Sequence, residues 1–267
     1  MCGYFEVSRS GYYKALEQAG KKALNEQLLL SMVRDIRRFH PRMGGKKLYK
    51  LLKADITDAG IKMGRDKFFE MLVRNGMAIK RRRKYAYTTD SYHHFRVYKN
   101  LLKRHPLEKA HEACVSDITY VRVGKGFMYL FLITDAFSRK IIGWELSHSL
   151  AIPGAIKALK MAIRQCPKTR GLIHHSDRGI QYCSKGYVEL LKKAEISISM
   201  TEENHCYENA IAERVNGILK QEYALDETFP TDSLARKAVK EAIGSYNTER
   251  PHWSLKLATP QQIHMAA

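Results

Sequence analysis

The sequence predicts a mixed α/β domain that follows a small, basic, all-α region. Three features predict this class: helical periodicity in the first third of the chain, β-rich runs from Ala113 onward, and a change of charge balance between the two parts. With 267 residues, of which 45% are hydrophobic, the chain is long enough for two compact domains. We expect residues 1–104 to form a basic helical region with its linker, and residues 105–267 to form the α/β domain.

Three short helices are expected in the first region, over about residues 25–40, 44–60 and 63–76. Apolar residues recur there at three- and four-residue spacing, and Gly or Pro residues separate the runs. Short helices joined by tight turns are typical of a helix-turn-helix arrangement. In that arrangement Arg65 and Lys67, near the start of the third helix, would meet DNA.

The second region alternates β-rich and helical runs. Three β-rich runs come first, followed by a helix, a strand, a second helix, a strand and two further helices. This order predicts a mixed five-stranded sheet with helices packed on it. The β-rich runs cover residues 113–123, 126–137, 140–147, 170–177 and 196–200, and the helical runs cover about residues 153–164, 185–194, 208–223 and 232–246.

The charge of the chain indicates a polyanionic partner. The formal net charge is +19 and the pI is near 9.7. Residues 1–104 hold 25 Lys and Arg against 9 Asp and Glu, whereas residues 105–267 hold 21 against 18. The first region therefore has the balance of a nucleic-acid binder, and the second has the balance of an ordinary enzyme core.

A basic run joins the two regions. It contains Arg81, Arg82 and Arg83, and Tyr85 and Tyr87 follow it. Positive charge with aromatic neighbours suits contact with nucleic-acid phosphates. The alternative interpretation is a solvated linker, since runs of charge usually lie in solvent.

Other features exclude several classes of protein. Five cysteines without a CxxC pair imply neither a disulfide framework nor a zinc ribbon, and they fit a reducing compartment. No run of eighteen apolar residues and no signal pattern is present, so we expect a soluble cytoplasmic protein without a membrane partner.

Three acidic residues stand where phosphodiester chemistry would need them. Asp117 lies within the first β-rich run, Asp177 directly follows the fourth, and Glu213 lies in a helix with 35 residues between it and Asp177. Two divalent cations about 3.5–4 Å apart stabilise the attacking and the leaving oxygen of such a reaction, and Mg²⁺ prefers oxygen ligands. Asp135 ends another apolar run, and spacing alone does not choose between it and Asp117.

Two basic residues accompany these carboxylates. Lys220 follows Glu213 by seven positions, so two helical turns place both on one face, where the lysine would contact the phosphate backbone. Arg178 directly follows Asp177 and is a further candidate for contact with DNA. Each of these residues also has an ordinary interpretation, as a turn or edge aspartate or as a solvated helix position.

Five segments of the sequence resemble, in the same order, those of a known family. The blocks are similar to those of the catalytic subunit of the insertion-sequence family numbered three, which belongs to the DDE transposases and retroviral integrases. The resemblance covers about residues 105–262, and residues 25–76 also resemble the helix-turn-helix segment of that family. The blocks are "SDITYV", "YLFLITDAFSRKIIGW", "LIHHSDRGIQYCS", "SMTEENHCYENAIAERVNGILKQEY" and "YNTERPHWSLKLATP".

The resemblance implies a fold, an activity and a site. It implies a ribonuclease H-like core in which Asp117, Asp177 and Glu213 are catalytic and hold two Mg²⁺ or Mn²⁺ ions. It implies cleavage at transposon ends followed by strand transfer from a 3′-hydroxyl. Glu208 stands where the family commonly has an aspartate before the catalytic helix, which leaves the role of that loop open.

The resemblance also implies partners. These are the terminal inverted repeats of a transposon and its target DNA, a second copy of the chain on DNA, and an upstream-frame partner or fusion that supplies end recognition. With such partners, we expect the protein to be bacterial and to associate with the nucleoid. Two alternatives from other classes stay open: an inactive DNA-binding regulator, and a ribonuclease H-type nuclease that cuts without strand transfer.

Overall fold

The computed structural model describes residues 8–79, 96–103, 106–202 and 209–266. The chain divides into two compact units, Met1–Arg81 and Arg82–Ala267. This division differs from the expected boundary after residue 104. Residues 96–103 belong to the second unit, where the Leu101 backbone N–H donates to Ser199 Oγ at 2.9 Å.

The first unit is helical, as its periodicity predicts. The helix α1 begins well before residue 25, and Ser8, one of two serines (with Ser10) that could cap a helix in this segment, is its cap. The Ser8 hydroxyl accepts from the Gly11 backbone N–H at 3.0 Å. The second expected helix is divided in two at Leu52. The helices of the described part are α1 (Arg9–Phe39), α2 (Gly45–Leu51), α3 (Lys53–Asp58) and α4 (Arg65–Arg74).

A small core holds these helices together. One face of α1 contributes Leu29 and Val33, and α4 contributes Phe68 and Met71, all of them buried. The part of α1 before Leu29 buries no side chain within the described residues. The packed portion of the unit therefore begins at the middle of α1.

The second unit contains the mixed sheet that the sequence predicts, and the expected α/β class is confirmed. Short elements that carry little periodicity, such as α6, β6 and α10, were not expected. The strands are β1 (Ala113–Val123), β2 (Gly126–Asp135), β3 (Ile141–Ser147), β4 (Ile173–Ser176), β5 (Ser197–Met200) and β6 (Thr228–Phe229). The helices are α5 (Ile152–Gln165), α6 (Ile180–Cys183), α7 (Lys185–Lys193), α8 (Ala210–Glu222), α9 (Asp232–Thr248) and α10 (Pro260–Met265).

The strand order of the sheet is β3-β2-β1-β4-β5, and β6 pairs with the far end of β1. The first three strands form an antiparallel meander, whereas β4 and β5 join in parallel. The strand β1 is therefore central, with β2 on one side and β4 on the other. In the described part of the chain, no helix is both long enough and apolar enough to cross a membrane.

Helices cover both faces of the sheet, which explains why β2 is apolar at nearly every position. Leu130 and Leu132 face the helices α8 and α9, while Phe131 and Ile133 face α5 and α7. The alternation of side chains along a strand sends successive residues into these two cores. The helix α8 is thereby fixed against the central strand.

The C-terminal tail holds the end of α8. The Arg250 guanidinium donates through Nε and Nη2 to the two carboxylate oxygens of Glu222, each at 2.8 Å. Arg250 is buried, and Glu222 is the last residue of α8. Because a paired fork of this kind constrains direction as well as distance, it fixes the orientation of the helix end.

Close packing of β3 on α5 depends on Gly143, and this generates a stability prediction. A Cβ at Gly143 would contact the carbonyl oxygen of Ala158 and would lie 2.9 Å from the Ala162 Cβ. We expect Gly143→Ala to lower the free energy of unfolding by about 1–3 kcal/mol, because strand and helix must separate. Urea denaturation followed by circular dichroism measures this change.

Gly244→Ala is the matched control. Gly244 lies in α9, where nothing approaches an added Cβ within 4 Å. There the substitution should stabilise by about 0.5–1 kcal/mol through helix propensity. Equal effects of the two alanines would show that close approach does not limit position 143.

Candidate functional site

Two aspartates stand on neighbouring parallel strands. The pairing of β1 with β4 runs through Val115 opposite His175, and Asp117 and Asp177 each lie two residues further along their chains. Neighbouring strands are about 4.8 Å apart, so a continued register would place these carboxylates side by side. Both side chains are half-buried.

The environment of Asp117 disfavours its charged form. Burial, and then the negative charge of Asp177, raise the pKa of Asp117 to about 7, with a smaller contribution from Glu213. Two hydrogen bonds oppose this shift, from the Ile118 backbone N–H at 2.8 Å and from Asn216 Nδ2 at 2.6 Å. Burial, with the charge of Asp177 added to it, therefore favours the neutral form of Asp117 at a pH where a free carboxyl is ionised.

Asn216 is a site residue that the sequence interpretation did not identify. It lies on α8, three positions after Glu213 and four before Lys220, so the helical period places all three on one side of the helix. Its amide holds Asp117, and the amide of Asn209 donates to the Ser116 carbonyl oxygen at 3.1 Å. The sequence offered one signal for it, which is an asparagine at helical spacing between the two candidate residues Glu213 and Lys220.

Glu213 and Lys220 occupy different surroundings on α8. Glu213 lies in the first turn and is exposed. Lys220 is half-buried, with its Nζ 4.0 Å from the centre of the Tyr120 ring. Burial lowers the pKa of Lys220, while the charge of Asp117 opposes that shift. The cation of Lys220 therefore lies on an aromatic face within electrostatic reach of Asp117.

Asp177 and Arg178 are fixed by backbone groups. The Gly179 backbone N–H donates to Asp177 Oδ1 at 3.0 Å, which turns the chain directly after β4. Arg178 Nε donates to the Thr201 carbonyl oxygen at 2.9 Å, just beyond β5. Arg178 thus links the ends of two strands.

The donor set suits a divalent cation in type, and two of its three members lie together. Carboxylate oxygens are ligands that Mg²⁺ and Mn²⁺ prefer, and a cation would relieve the repulsion between Asp117 and Asp177. No group of three or more His, Cys, Asp or Glu side chains within the described residues has an arrangement that holds a metal ion. Glu213 therefore does not complete a preformed set of three.

Asp135, the competing aspartate, is buried in a structural network. Its carboxylate accepts from the backbone N–H groups of His111 at 2.8 Å and Ser138 at 2.7 Å, and from the Ser138 hydroxyl at 2.7 Å. The Ser138 hydroxyl also lies 3.0 Å from His264 Nδ1. Asp135 ties the turn after β2 to the C-terminal helix.

The remaining basic candidates are two residues of the first unit and one run outside the described residues. Arg65 and Lys67 are exposed at the start of α4, and Arg65 pairs with Asp66 at 2.9 Å. Arg81, Arg82 and Arg83 lie outside the described residues.

The raised pKa of Asp117 predicts a pH-dependent stability. In metal-free protein, Asp117→Asn should raise the free energy of unfolding by about 1–2 kcal/mol at pH 8. This is less than a shift of the same size would give in a fully buried group, at ~1.4 kcal/mol for each pKa unit, because the side chain is half-buried. The raised pKa means that the neutral carboxyl stabilises the fold below about pH 4 and that this stability is lost as pH rises through about 7. Urea denaturation in EDTA from pH 4 to 8 should show the gain growing over that window.

Glu241→Gln is the control for this prediction. Glu241 is an exposed carboxylate on α9, with its side chain 66% exposed. Its amide variant should match the parent across the pH range. An Asp117→Asn effect of equal size at pH 4 and pH 8 would contradict the raised pKa of Asp117.

Comparisons with known proteins place the chain in a family. Residues 108–206 and residues 194–260 each match a family described as an integrase core domain. The chain is 33% identical over 264 residues to the insertion element IS600 uncharacterized 31 kDa protein of Shigella sonnei, covering 97% of this chain and 96% of that protein. It is 30% identical over 269 residues to the transposase InsF for insertion sequence IS3A of Escherichia coli K12, covering 98% and 92%.

A solved structure is also similar in part. The HTLV-2 integrase catalytic core domain, determined in complex with magnesium, is 21% identical, with a TM-score of 0.46 over 58% of this chain and 97% of that chain. The identity to the bacterial relatives extends over nearly the whole sequence, and it confirms the resemblance carried by the five blocks. The chain belongs to the transposases of the insertion-sequence family numbered three, within the DDE transposase and retroviral integrase superfamily, and its core has the ribonuclease H-like fold.

Proposed function

We propose that this chain cuts the ends of a transposon in a metal-dependent reaction and joins the resulting 3′-hydroxyl to target DNA. The observation that carries the proposal is the placement of Asp117 and Asp177 by the parallel pairing of β1 with β4, with Asn216 of α8 hydrogen-bonded to Asp117. The raised pKa of Asp117, caused first by burial and then by the charge of Asp177, adds support because perturbed carboxylates are frequent at functional sites. The transposase InsF, whose name states its activity, aligns over both units.

Three carboxylates, those of Asp117, Asp177 and Glu213, would hold two divalent ions, either Mg²⁺ or Mn²⁺. Glu213 is exposed in the first turn of α8, and its charge contributes to raising the pKa of Asp117, so it lies within electrostatic reach of that carboxylate. Bound divalent cations would supply charge stabilisation to the attacking and leaving oxygens of the phosphodiester.

Residues around the carboxylates orient the reaction. Asn216 fixes one oxygen of Asp117 and favours the charged form that a cation requires. Lys220 presents a positive charge from the same helix, at a position suited to a DNA phosphate. Arg178 places a second positive charge beside Asp177. Water attacks a phosphodiester at the transposon end and breaks its bond to the 3′-oxygen, which leaves as the 3′-hydroxyl. That hydroxyl then attacks a target phosphodiester and displaces the 3′-oxygen of the target strand, so no covalent protein intermediate forms and the protein contributes positioning and charge.

The partners of the reaction are transposon terminal inverted repeats and target DNA. The basic first unit supports this proposal, with Arg65 and Lys67 entering a groove and Arg81, Arg82 and Arg83 contacting phosphates. Joining two ends requires at least two copies on DNA, and an upstream-frame partner or fusion supplies end recognition. We place the reaction on the bacterial nucleoid, in the cytoplasm.

Removing any one carboxylate should abolish the reaction. We expect Asp117→Asn, Asp177→Asn and Glu213→Gln each to lower cleavage of end-containing DNA in Mg²⁺ by roughly 100-fold or more. DNA affinity in EDTA should stay within about twofold of the parent, since phosphate contacts dominate binding. Gel assays of cleavage and strand transfer, together with fluorescence anisotropy for binding, measure both.

Glu241→Gln, the exposed carboxylate on α9, should cleave as the parent does. Parent protein that binds ends but cuts nothing in Mg²⁺ or Mn²⁺ would identify a DNA-binding regulator. Cleavage of RNA–DNA hybrid without strand transfer would identify a ribonuclease H-type nuclease.

Lys220 should contribute one phosphate contact. We expect Lys220→Gln to weaken DNA binding and to reduce the slope of log affinity against log salt concentration by about 1. Lys192→Gln, at an exposed position of α7, should leave the slope unchanged. Unchanged slopes for both variants would show that Lys220 serves only to pack against Tyr120.

A further inference from the structure

Two adjoining cavities lie in the second unit, on the side of α8 where it faces the C-terminal tail. Their volumes are about 470 Å³ and about 210 Å³. Arg139, Ile211 and Ser254 line both, so the cavities form one continuous groove. The larger volume lies within the roughly 300–1,000 Å³ of small-molecule and cofactor sites.

The groove combines an apolar wall with positive charge. Phe137 and Ile211 are among its apolar lining residues, and Arg139, Arg214 and Lys256 are its basic ones. None of these three cations forms an ion pair with an acidic residue in the described part of the chain, and no acidic residue is among the described residues that line the groove. The groove therefore suits an occupant with an apolar surface and negative charge.

We propose that this groove binds an unpaired nucleotide of a DNA strand, with its base against the apolar wall and its phosphates on Arg139, Arg214 and Lys256. A duplex would present only phosphates here, because its bases stay stacked in pairs, whereas an unpaired base can enter a cavity of this size. Trp253, which precedes Ser254, is 57% exposed and offers a further aromatic surface for stacking.

The groove and the carboxylates lie on different sides of the same helix. Arg214 directly follows Glu213 on α8, whereas Ile211, Val215 and Ile218, which line the groove, lie on the face of α8 away from Asn216 and Lys220. This inference depends on the proposed function for the identity of the occupant as DNA. It assigns the groove to unpaired nucleotides held on the other side of α8 from the carboxylates, a role separate from the chemistry of cleavage.

The test compares three DNA probes with the full chain in EDTA, by fluorescence anisotropy. The probes are a blunt duplex, the same duplex with a three-nucleotide single-stranded overhang, and that overhang with abasic sites in place of its bases. We expect the overhang duplex to bind about fivefold or more tightly than the blunt one. The abasic overhang should lose this preference although it keeps the phosphates.

Protein variants locate the preference in the groove. Arg214→Gln combined with Lys256→Gln should abolish the overhang preference while blunt-duplex affinity falls less than about twofold. Arg236→Gln combined with Lys240→Gln is the matched control, because both residues are exposed on α9 and line neither cavity. The control variant should keep the full preference.

Three outcomes would overturn the proposal: no overhang preference in the parent, a preference that survives in the Arg214 and Lys256 variant, or a preference kept by abasic overhangs. Displacement of the overhang probe from the groove by an acidic peptide, in a parent without overhang preference, would assign the groove to a protein partner instead. Because binding is measured without metal and can be repeated in Asp117→Asn, failure of cleavage and failure of this inference are distinguishable.

Discussion

The parallel pairing of β1 with β4 is the contact on which the rest of the second unit depends. It brings Asp117 and Asp177, which are far apart in sequence, next to each other across two neighbouring strands. Burial and the neighbouring negative charge make the charged form of Asp117 unfavourable, while the cores on both faces of the sheet fix the two strands.

The helix α8 determines what surrounds those carboxylates. It presents Glu213, Asn216 and Lys220 toward one side while its apolar residues pack on the sheet. Its hydrogen bonds to β1 through Asn209 and Asn216 attach it directly to the strand that carries Asp117. Site geometry and core packing are therefore properties of the same element.

Much of the fold was predictable because its signals are local. Apolar periodicity and β-rich runs predicted the strand and helix order, since each element of the second unit buries one or both faces. Short elements such as β6 and α10 carry too few residues for a periodic signal. The early start of α1 depends on a capping hydroxyl at Ser8 and on exposed residues without an amphipathic pattern, so the apolar spacing did not indicate it.

The site was predictable in its residue types but less so in its arrangement. The positions of Asp117, within β1, and of Asp177, directly after β4, follow from the strands, whereas the contact of Asn216 with Asp117 depends on how α8 rotates against β1. Helix rotation is decided by the packing of many side chains, which no single spacing encodes. The exposure of Glu213 has the same origin.

The bidentate ion pair between Arg250 and Glu222 attaches the C-terminal tail to the helix that carries part of the candidate site. The helix α8 is attached to β1 at its start, through the hydrogen bond of Asn209, and to the tail at its end, through the pair of Glu222 with Arg250. Movement of either end therefore moves the helix as one rigid element. A bound molecule that shifts the tail would therefore act along about 20 Å of helix on the side chains of the candidate site. Removal of the tail would cut this linkage without touching a single carboxylate.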